Sequence, residues 1–238
     1  MTYVDAAAAP LRKTGQIKIH GPEGFAGMRK AGQLVADCLD LLAAEVKPGV
    51  STDRLDRFVF EYAMDHGAWP ATLMYRGYTK STCTSINHVV CHGIPNEKPL
   101  KDGDIVNIDV TLILDGWHGD SSRMYPVGVV PRRAERLIEV THEAMMRGIA
   151  VIRPGATTGD IGAAIQSYVE AQHMSVVRDF CGHGVGRLVS RRAQHHPRRP
   201  AGRGHHAASR HDLHGRADDQ SRAPAREGAL RRLDRGDA

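Results

Sequence analysis

Residues 104–127 read DIVNIDVTLILDGWHGDSSRMYPV, and this stretch decides the fold. Over residues 104–113 apolar and polar side chains alternate with period two, which predicts a β-strand. Asp115-Gly116 is a favoured two-residue turn, and residues 117–127 then supply the partner strand. The stretch therefore predicts a β-hairpin.

Polar side chains collect on one face of this hairpin. Asn107, Asp109 and Thr111 share that face of the first strand. With a two-residue turn, Asp120 lies opposite Thr111 and diagonal to Asp109, so the two carboxylates converge. Converging carboxylates repel unless a cation or a proton lies between them, and their oxygen atoms suit a divalent metal. A half-exposed strand with a polar outer face explains the same pattern without a metal.

Helical periodicity surrounds the hairpin in the sequence, and a long repeat relates its two sides. Helices are predicted over residues 23–46, 51–66, 134–149 and 158–173. The segments Val46-Lys-Pro-Gly-Val-Ser-Thr and Ile152-Arg-Pro-Gly-Ala-Thr-Thr lie 106 residues apart, and each leads into one of these helices. The repeat predicts two related halves.

Each half then reaches a histidine between or beside glycines. The first half contains Cys91-His92-Gly93 and the second contains Gly182-His183-Gly184. Glycine allows the backbone to approach a ligand closely, which favours a functional site. A histidine in a glycine-rich turn can equally have a structural role.

Composition narrows the classes of protein. The 238 residues suffice for one large domain or two small ones, and no run approaches the roughly 18 apolar residues of a membrane span. The first 18 residues lack a basic segment followed by an apolar run. Because no apolar run is long enough to span a membrane, no membrane partner is predicted. The four cysteines have no CxxC or framework spacing, which predicts a reducing compartment, the cytoplasm; they are Cys38, Cys83, Cys91 and Cys181.

Charge is concentrated near the C-terminus. Residues 189–238 contain twelve Arg, no Lys and six acidic residues, so they carry +6 while residues 1–188 carry −1 of the total of +5. They contain no aromatic residue and few large apolar ones, which predicts a disordered tail. Residues 1–20, with Ala6–Ala9 and Pro10, predict a flexible lead-in.

A set of motifs between about residues 19 and 188 resembles the type I methionine aminopeptidases of peptidase family M24. The motifs are MYRGY at 74–78, STC at 81–83, SIN at 85–87, VVCHGIP at 89–95, KDGDIVNIDVT at 101–111, DGWHGD at 115–120 and CGHGVG at 181–186. The resemblance implies an α/β (α+β) fold, the pita-bread fold of two pseudo-symmetric halves, formed by residues 21–188 with an incomplete second half. It also implies removal of the initiator methionine when the second residue is small.

The same resemblance implies a metal centre. Asp109, Asp120 and His183 match metal ligands, and Thr111 matches a neighbour of the metals. Two divalent ions, of Co, Mn, Fe or Zn, are implied, and such a pair about 3.5–4 Å apart can activate a shared hydroxide.

Substrate contacts and partners also follow from the resemblance. His92 matches the histidine that contacts the scissile amide and assists proton transfer to the leaving group. Tyr75, Tyr78 and Cys83 match the wall of the methionine pocket, where aromatic and sulfur groups suit a thioether; ordinary core packing is the alternative for them. The implied partners are nascent polypeptide N-termini at the ribosome, and the implied state is a monomer that binds no nucleic acid.

The chain departs from the family pattern after Leu188. The family continues with Phe-His, then a Glu-Pro-Met segment and a later glutamate, whereas this chain continues Val189-Ser190 and has none of these. Three of five protein metal ligands are then present, which predicts weak or absent activity.

A shift of the reading frame explains the departure. Codons can be chosen for residues 189–195 so that dropping one base yields FHDAPN, and the same shift lets residues 208–222 yield RPGMIFTVEPMINLG and residues 232–238 yield GWTAVT. Three stretches obeying one shift predict that residues 189–238 are translated out of frame.

Two other functions fit part of the sequence. A peptide- or RNA-binding module without catalysis would use the Arg-rich residues 189–238, although clustered Arg without interleaved aromatic residues is a weak RNA signal. A creatinase or proline-specific peptidase of the same fold is disfavoured by Cys83 and by residues 89–95, which resemble the methionine enzymes.

Overall fold

The computed structural model describes residues 3–5, 17–177, 179–180, 182–187 and 190–195, with only the backbone given for 3–5, 17–18 and 190–195. These residues fall into two compact units. The first unit contains the described parts of residues 1–30, 116–118 and 136–219, and the second contains residues 31–115 and 119–135.

Helices occur in two pairs along the described chain, with strands before, between and after them. The helices are α1 (Pro22–Glu45), α2 (Thr52–Asp65), α3 (Arg132–Ala150) and α4 (Thr158–Ala171), with a 3-10 turn at Tyr75–Gly77. The strands are β1 (Tyr3–Asp5), β2 (Ile17–Ile19), β3 (Trp69–Pro70), β4 (Thr82–Ile86), β5 (Ile105–Leu114), β6 (Trp117–Pro126), β7 (Gly182–Gly184) and β8 (Ser190–His195). All four predicted helices are therefore present, with ends shifted by at most two residues.

The predicted hairpin is strands β5 and β6, which pair through a two-residue turn. Both turn residues have positive φ, 52° at Asp115 and 76° at Gly116, as the favoured hairpin turn requires. The antiparallel partners β3 and β4 also pair with β5, and the β4 register places Cys83 beside Asp109 and Ile86 beside Val106.

The core of the second unit is built on the apolar face of β5. Val106, Ile108, Val110 and Leu112 alternate along this strand and are fully buried. They belong to one cluster with apolar residues of α1 and α2; the fully buried members from those helices are Val35, Cys38, Leu42, Leu55, Val59 and Ala63. The first unit has its own small cluster, in which α3 and α4 contribute Val140, Ala144 and Val169.

The sequence repeat is visible in the backbone. Gly49 and Gly155, at matching places, have φ of 90° and 89°, a conformation that favours glycine. Ser51 caps α2 by accepting a hydrogen bond from the Arg54 N–H, and Thr157 caps α4 in the same position within a capping box. Repeated residues therefore start both helices by the same hydrogen-bonding scheme.

A buried carboxylate on α2 holds the start of β4. Asp56 is 8% exposed, and its Oδ1 accepts hydrogen bonds from the backbone N–H groups of Ser81 (2.7 Å) and Thr82 (2.9 Å). Burial raises the pKa of Asp56, while these two bonds and the charge of Lys80 lower it by less.

Short paired strands occur near both ends of the chain. β1 pairs with β2 in parallel, and β7 pairs with β8 in antiparallel orientation. Residues 1–2, 6–16 and 196–238 lie outside the described residues. The predictions of a flexible lead-in over 1–20 and of a disordered tail over 189–238 therefore stay predictions there, while β1, β2 and β8 are strands.

No helix in the described part of the chain is long and apolar enough to cross a membrane.

Two adjacent leucines of α1 offer a matched test of the core. Leu42 is fully buried whereas Leu41 is 52% exposed. We expect Leu42→Ala to lower the free energy of unfolding by about 2–5 kcal/mol, because it removes buried apolar surface and leaves a cavity. Leu41→Ala should lower it by less than about 0.5 kcal/mol. Urea unfolding of both variants checks this, and similar losses for the two would contradict the packing described.

Asp56 should make the free energy of unfolding depend on pH. Its pKa is raised above the ordinary value of 3.8, so the folded chain binds the proton more tightly than the unfolded chain. This contribution to stability is present below pH 3.8 and is lost as pH rises through the folded pKa. We expect the stability of the wild type relative to Asp56→Asn, which cannot ionise, to fall in urea unfolding as the pH rises from below 3.8 through the folded pKa of Asp56. A difference that does not change with pH would contradict this.

Candidate active site

The polar face of the hairpin is the first part of the candidate site. Thr111 on β5 donates a hydrogen bond from Oγ1 to Oδ1 of Asp120 on β6, at 2.7 Å. Asp109 lies two residues before Thr111 on the same face of β5, and its Oδ1 is buried. The structure thus brings Thr111 and Asp120 into contact and places Asp109 on the same face of β5 as Thr111.

His92 lies in a tight loop of the same unit. Its φ is 55°, and its Nδ1 lies 3.5 Å from Sγ of Cys91, while its Nε2 is buried. Gly93 donates its N–H to Oγ of Ser85 (3.1 Å), and its carbonyl accepts from the Thr84 N–H (2.8 Å). A Cβ at Gly93 would lie 2.0 Å from the Thr84 carbonyl oxygen. The glycine therefore allows the loop to contact β4 closely, rather than allowing a ligand to approach.

The residues predicted for the pocket wall differ in their surroundings. Cys83 on β4 is buried, and Tyr78 donates its hydroxyl hydrogen bond to the Thr82 carbonyl at 2.9 Å. Burial, and then the neighbouring Cys83, raise the pKa of Tyr78. Tyr75 is 51% exposed with Arg76 near its ring, so it is not a core residue.

His183 lies in the first unit. It is buried on β7, and its Nδ1 lies 3.4 Å from the Gly184 carbonyl oxygen. It is thus assigned to a different compact unit from Asp109 and Asp120.

The segment that contains His183 is held by two residues that sequence reasoning did not single out. His118 directs both its backbone N–H (2.9 Å) and its ring Nδ1 (3.0 Å) at the Gly186 carbonyl oxygen. The Arg187 guanidinium lies 4.9 Å from the centre of the Trp117 ring. Burial lowers the pKa of His118, although the bond to Gly186 raises it in part. The DGWHGD motif contains both residues, but their partners are too distant in sequence for the motif alone to identify a role.

Trp117 in turn packs on the start of α1. Its ring is in edge contact with His20 at 5.1 Å, and a Cβ at Gly27 would lie 2.4 Å from it. A Cβ at Gly24 would also contact the ring, at 3.1 Å. These glycines of α1 therefore give the indole the space that it occupies.

The donor chemistry of the hairpin suits a divalent metal, but the described residues do not complete a site. Asp109 and Asp120 offer carboxylate oxygens on one face of two paired strands, as hard and borderline divalent ions prefer. In the described ranges, no group of three or more His, Cys, Asp or Glu side chains is arranged to hold a metal ion. The two aspartates therefore fit as part of a metal site and not as a whole one.

Comparison with known proteins gives one consistent result. The sequence pattern of metallopeptidase family M24 matches residues 26–213. The chain is 60% identical over 172 residues to the methionine aminopeptidase of Rickettsia prowazekii and 52% identical over 173 residues to that of Escherichia coli K12. Each match covers 72% of this chain and 66% of the relative, so the chain spans slightly less than two thirds of the length of these curated relatives.

Solved structures agree on the fold. The crystal structure of the methionine aminopeptidase from Rickettsia prowazekii superposes with a TM-score of 0.81 at 54% identity, covering 82% of this chain and 79% of that one. The enzyme from Thermotoga maritima gives 0.80 at 35% identity with the same coverage. The predicted α/β (α+β) pita-bread fold is thereby confirmed. A Xaa-Pro dipeptidase from Bacillus anthracis, at 20% identity and a TM-score of 0.63, shares the fold alone.

The close packing at Gly93 is testable against a second glycine. We expect Gly93→Ala to lower the free energy of unfolding by about 1–3 kcal/mol, because its Cβ would overlap the Thr84 carbonyl. Gly32→Ala on α1 is the control, since its Cβ would meet nothing within 4 Å and alanine favours a helix by about 0.5–1 kcal/mol. In urea unfolding, the free energy of unfolding should fall for Gly93→Ala and rise for Gly32→Ala. A Gly93→Ala chain as stable as the wild type would contradict the geometry.

Proposed function

Because the chain belongs to metallopeptidase family M24, we propose that its function is that of a methionine aminopeptidase, which removes the initiator methionine from nascent proteins when the second residue is small. The observation that carries this proposal is the high identity to methionine aminopeptidases. The family match over residues 26–213 contains every predicted site residue. The contact between Thr111 and Asp120 supports the proposal, because it holds the Asp120 carboxylate against the face of β5 that also contains Asp109.

Each site residue has a proposed role in this reaction. Asp109, Asp120 and His183 would each serve as a ligand of divalent metal, and such metal would polarise the scissile carbonyl and activate a water molecule. The Thr111 hydroxyl orients the Asp120 carboxylate through its hydrogen bond, as residues adjacent to metal ligands commonly do. His92 hydrogen-bonds to the scissile amide and assists transfer of a proton to the departing amine nitrogen.

The substrate side chain enters a pocket of mixed aromatic and sulfur character. Tyr75, Tyr78 and Cys83 form part of its wall, and Tyr75 is half exposed. Thioether sulfur interacts favourably with aromatic rings and fits a narrow apolar pocket. An aminopeptidase acts on a substrate with a free N-terminus and cleaves the peptide bond after its first residue.

We also propose that this chain is weakly active or inactive because its metal site is incomplete. Residues 189–238 have no Phe-His, no Glu-Pro-Met and no later matching glutamate. Codons can be chosen for residues 189–195 and 208–222 so that one shifted frame yields Phe-His and Glu-Pro-Met, and we therefore propose that a single-base shift near Leu188 produced the tail.

The setting of the reaction follows the same proposal. The chain acts in the cytoplasm on nascent polypeptides at the ribosome, as a monomer with two divalent ions in the complete site. The cysteines described, Cys38, Cys83 and Cys91, form no disulfide, as a reducing compartment requires.

Two forms of the chain test the proposed function. The first is the 238-residue protein, and the second is the chain with one base removed at the start of the Val189 codon and read to its stop codon. We expect the second form, with Mn²⁺ or Co²⁺, to release methionine from Met-Ala-Ser peptides and to lose this activity with chelator. The first should reach less than about 1% of that rate, because metal catalysis needs the full set of ligands. Released methionine, measured by amino-acid analysis, is the readout.

The outcomes separate the two halves of the proposal. Asp109→Asn in the second form is the control and should lower the rate at least about 100-fold. Chelator-sensitive release at full rate by the 238-residue chain would contradict the proposed inactivity alone. A folded second form that releases no methionine would contradict the proposed function.

A further inference from the structure

We propose that Asp56 and Thr82 are positioning residues that hold the wall of the methionine pocket and join it to the strand that contains Asp109. The inference rests on the proposed function, because that proposal identifies Tyr78 and Cys83 as the pocket wall. All of the contacts involved lie within the second unit.

The first contact fixes the start of β4 from helix α2. One oxygen of Asp56, Oδ1, accepts hydrogen bonds from two successive backbone N–H groups, those of Ser81 and Thr82. Both of these residues are buried, so water cannot replace the bonds. A buried N–H group that loses its partner costs about 1–3 kcal/mol. The backbone immediately before Cys83 is therefore tied to a helix side chain 25 residues earlier.

The second set of contacts passes through Thr82 itself. Its carbonyl accepts the Tyr78 hydroxyl at 2.9 Å, which places that phenol against the start of β4. Its hydroxyl donates to the backbone carbonyl of Asp109, and the β4 register pairs Asp109 with Cys83. Thr82 is fully buried and so joins one pocket residue, Tyr78, to the backbone of one proposed metal ligand.

An ion pair covers the solvent side of this arrangement. Nζ of Lys80 lies 2.6 Å from Oδ1 of Asp53, one turn before Asp56 on α2. The Lys80 carbonyl accepts a hydrogen bond from the Thr72 hydroxyl at 3.1 Å. Residues 80–82 are thus held by three side chains, Asp53 and Asp56 on α2 and Thr72. Of these three, only Asp56 is buried.

The position of these bonds predicts a local effect of mutation. Asp56 acts on the residues just before Cys83, while the apolar core of the unit is formed by β5, α1 and α2. Losing the two bonds should release the start of β4 and uncover the Cys83 thiol before the core opens. Cys38, fully buried in that core on α1, reports opening of the core itself.

Alkylation of cysteines in the full 238-residue chain tests the proposal. Iodoacetamide is the probe, and mass spectrometry of peptides gives separate rates for Cys83 and Cys38. We expect Asp56→Ala to raise the Cys83 rate at least 10-fold with the Cys38 rate unchanged. Asp56→Asn should stay within about 2-fold of the wild type, because its amide oxygen can accept both bonds. An unchanged Cys83 rate in Asp56→Ala, or an equal rise in Asp56→Asn, would overturn the proposal.

A second pair of variants covers the case in which Asp56→Ala unfolds and both thiols react. Thr82→Val removes the hydroxyl at nearly constant shape, and Thr82→Ser retains it. We expect Thr82→Val to raise the Cys83 rate and Thr82→Ser to leave it near the wild-type value. Equal rates for the two variants would overturn the positioning role of Thr82.

L-Methionine as a competitor separates this inference from the proposed function. In the wild type, tens of millimolar L-methionine should slow alkylation of Cys83. In Asp56→Ala, Cys83 should be alkylated faster without methionine, and methionine should no longer slow the reaction. Protection retained in full in Asp56→Ala would overturn the positioning role. A third outcome is that L-methionine gives no protection in the wild type while Asp56→Ala still uncovers Cys83. That outcome would overturn the pocket assignment of the proposed function and would support the hydrogen-bonding role of Asp56.

Discussion

Burial of one face of strand β5 is the constraint on which the second unit depends. Four alternating apolar residues of this strand lie in the core with α1 and α2, so the odd-numbered residues between them must face the other way. Asp109 and Thr111 are on that opposite face because the period of a strand is two. A slip of one residue would turn both into the apolar core and turn the core residues to the opposite face, so core packing and the placement of the candidate ligands cannot be separated.

In each unit, candidate site residues are held through backbone groups. In the second unit the Asp109 carbonyl accepts from Thr82, and the backbone at Gly93 packs against Thr84. In the first unit the Gly186 carbonyl accepts from His118. Side chains that bind backbone groups fix a segment whatever its own side chains are. The strength of each contact depends on burial, since a buried polar group without a partner is costly.

Local patterns predicted most of the elements, and contacts distant in sequence account for what they missed. Alternation over residues 104–113 and the Asp115-Gly116 turn predicted the hairpin, and helical periodicity predicted helix α2. Asp56 gave no signal, because a carboxylate on a helix normally faces water and its partners lie 25 and 26 residues away. Periodicity reports which face of an element is buried, and it does not report which backbone group a polar side chain will meet.

The repeated helices show where the two halves have diverged. Helix α4 begins and ends 106 residues after α2, but His183 follows α4 by 12 residues while His92 follows α2 by 27. The 15 additional residues all fall after the helix, in the stretch that contains Tyr75, Tyr78 and Cys83. The two halves therefore share the start and the length of one helix, and they differ in the length of chain that follows it. The longer connection is the one that contains the residues proposed for the substrate pocket, so the symmetry of the helices does not extend to that pocket.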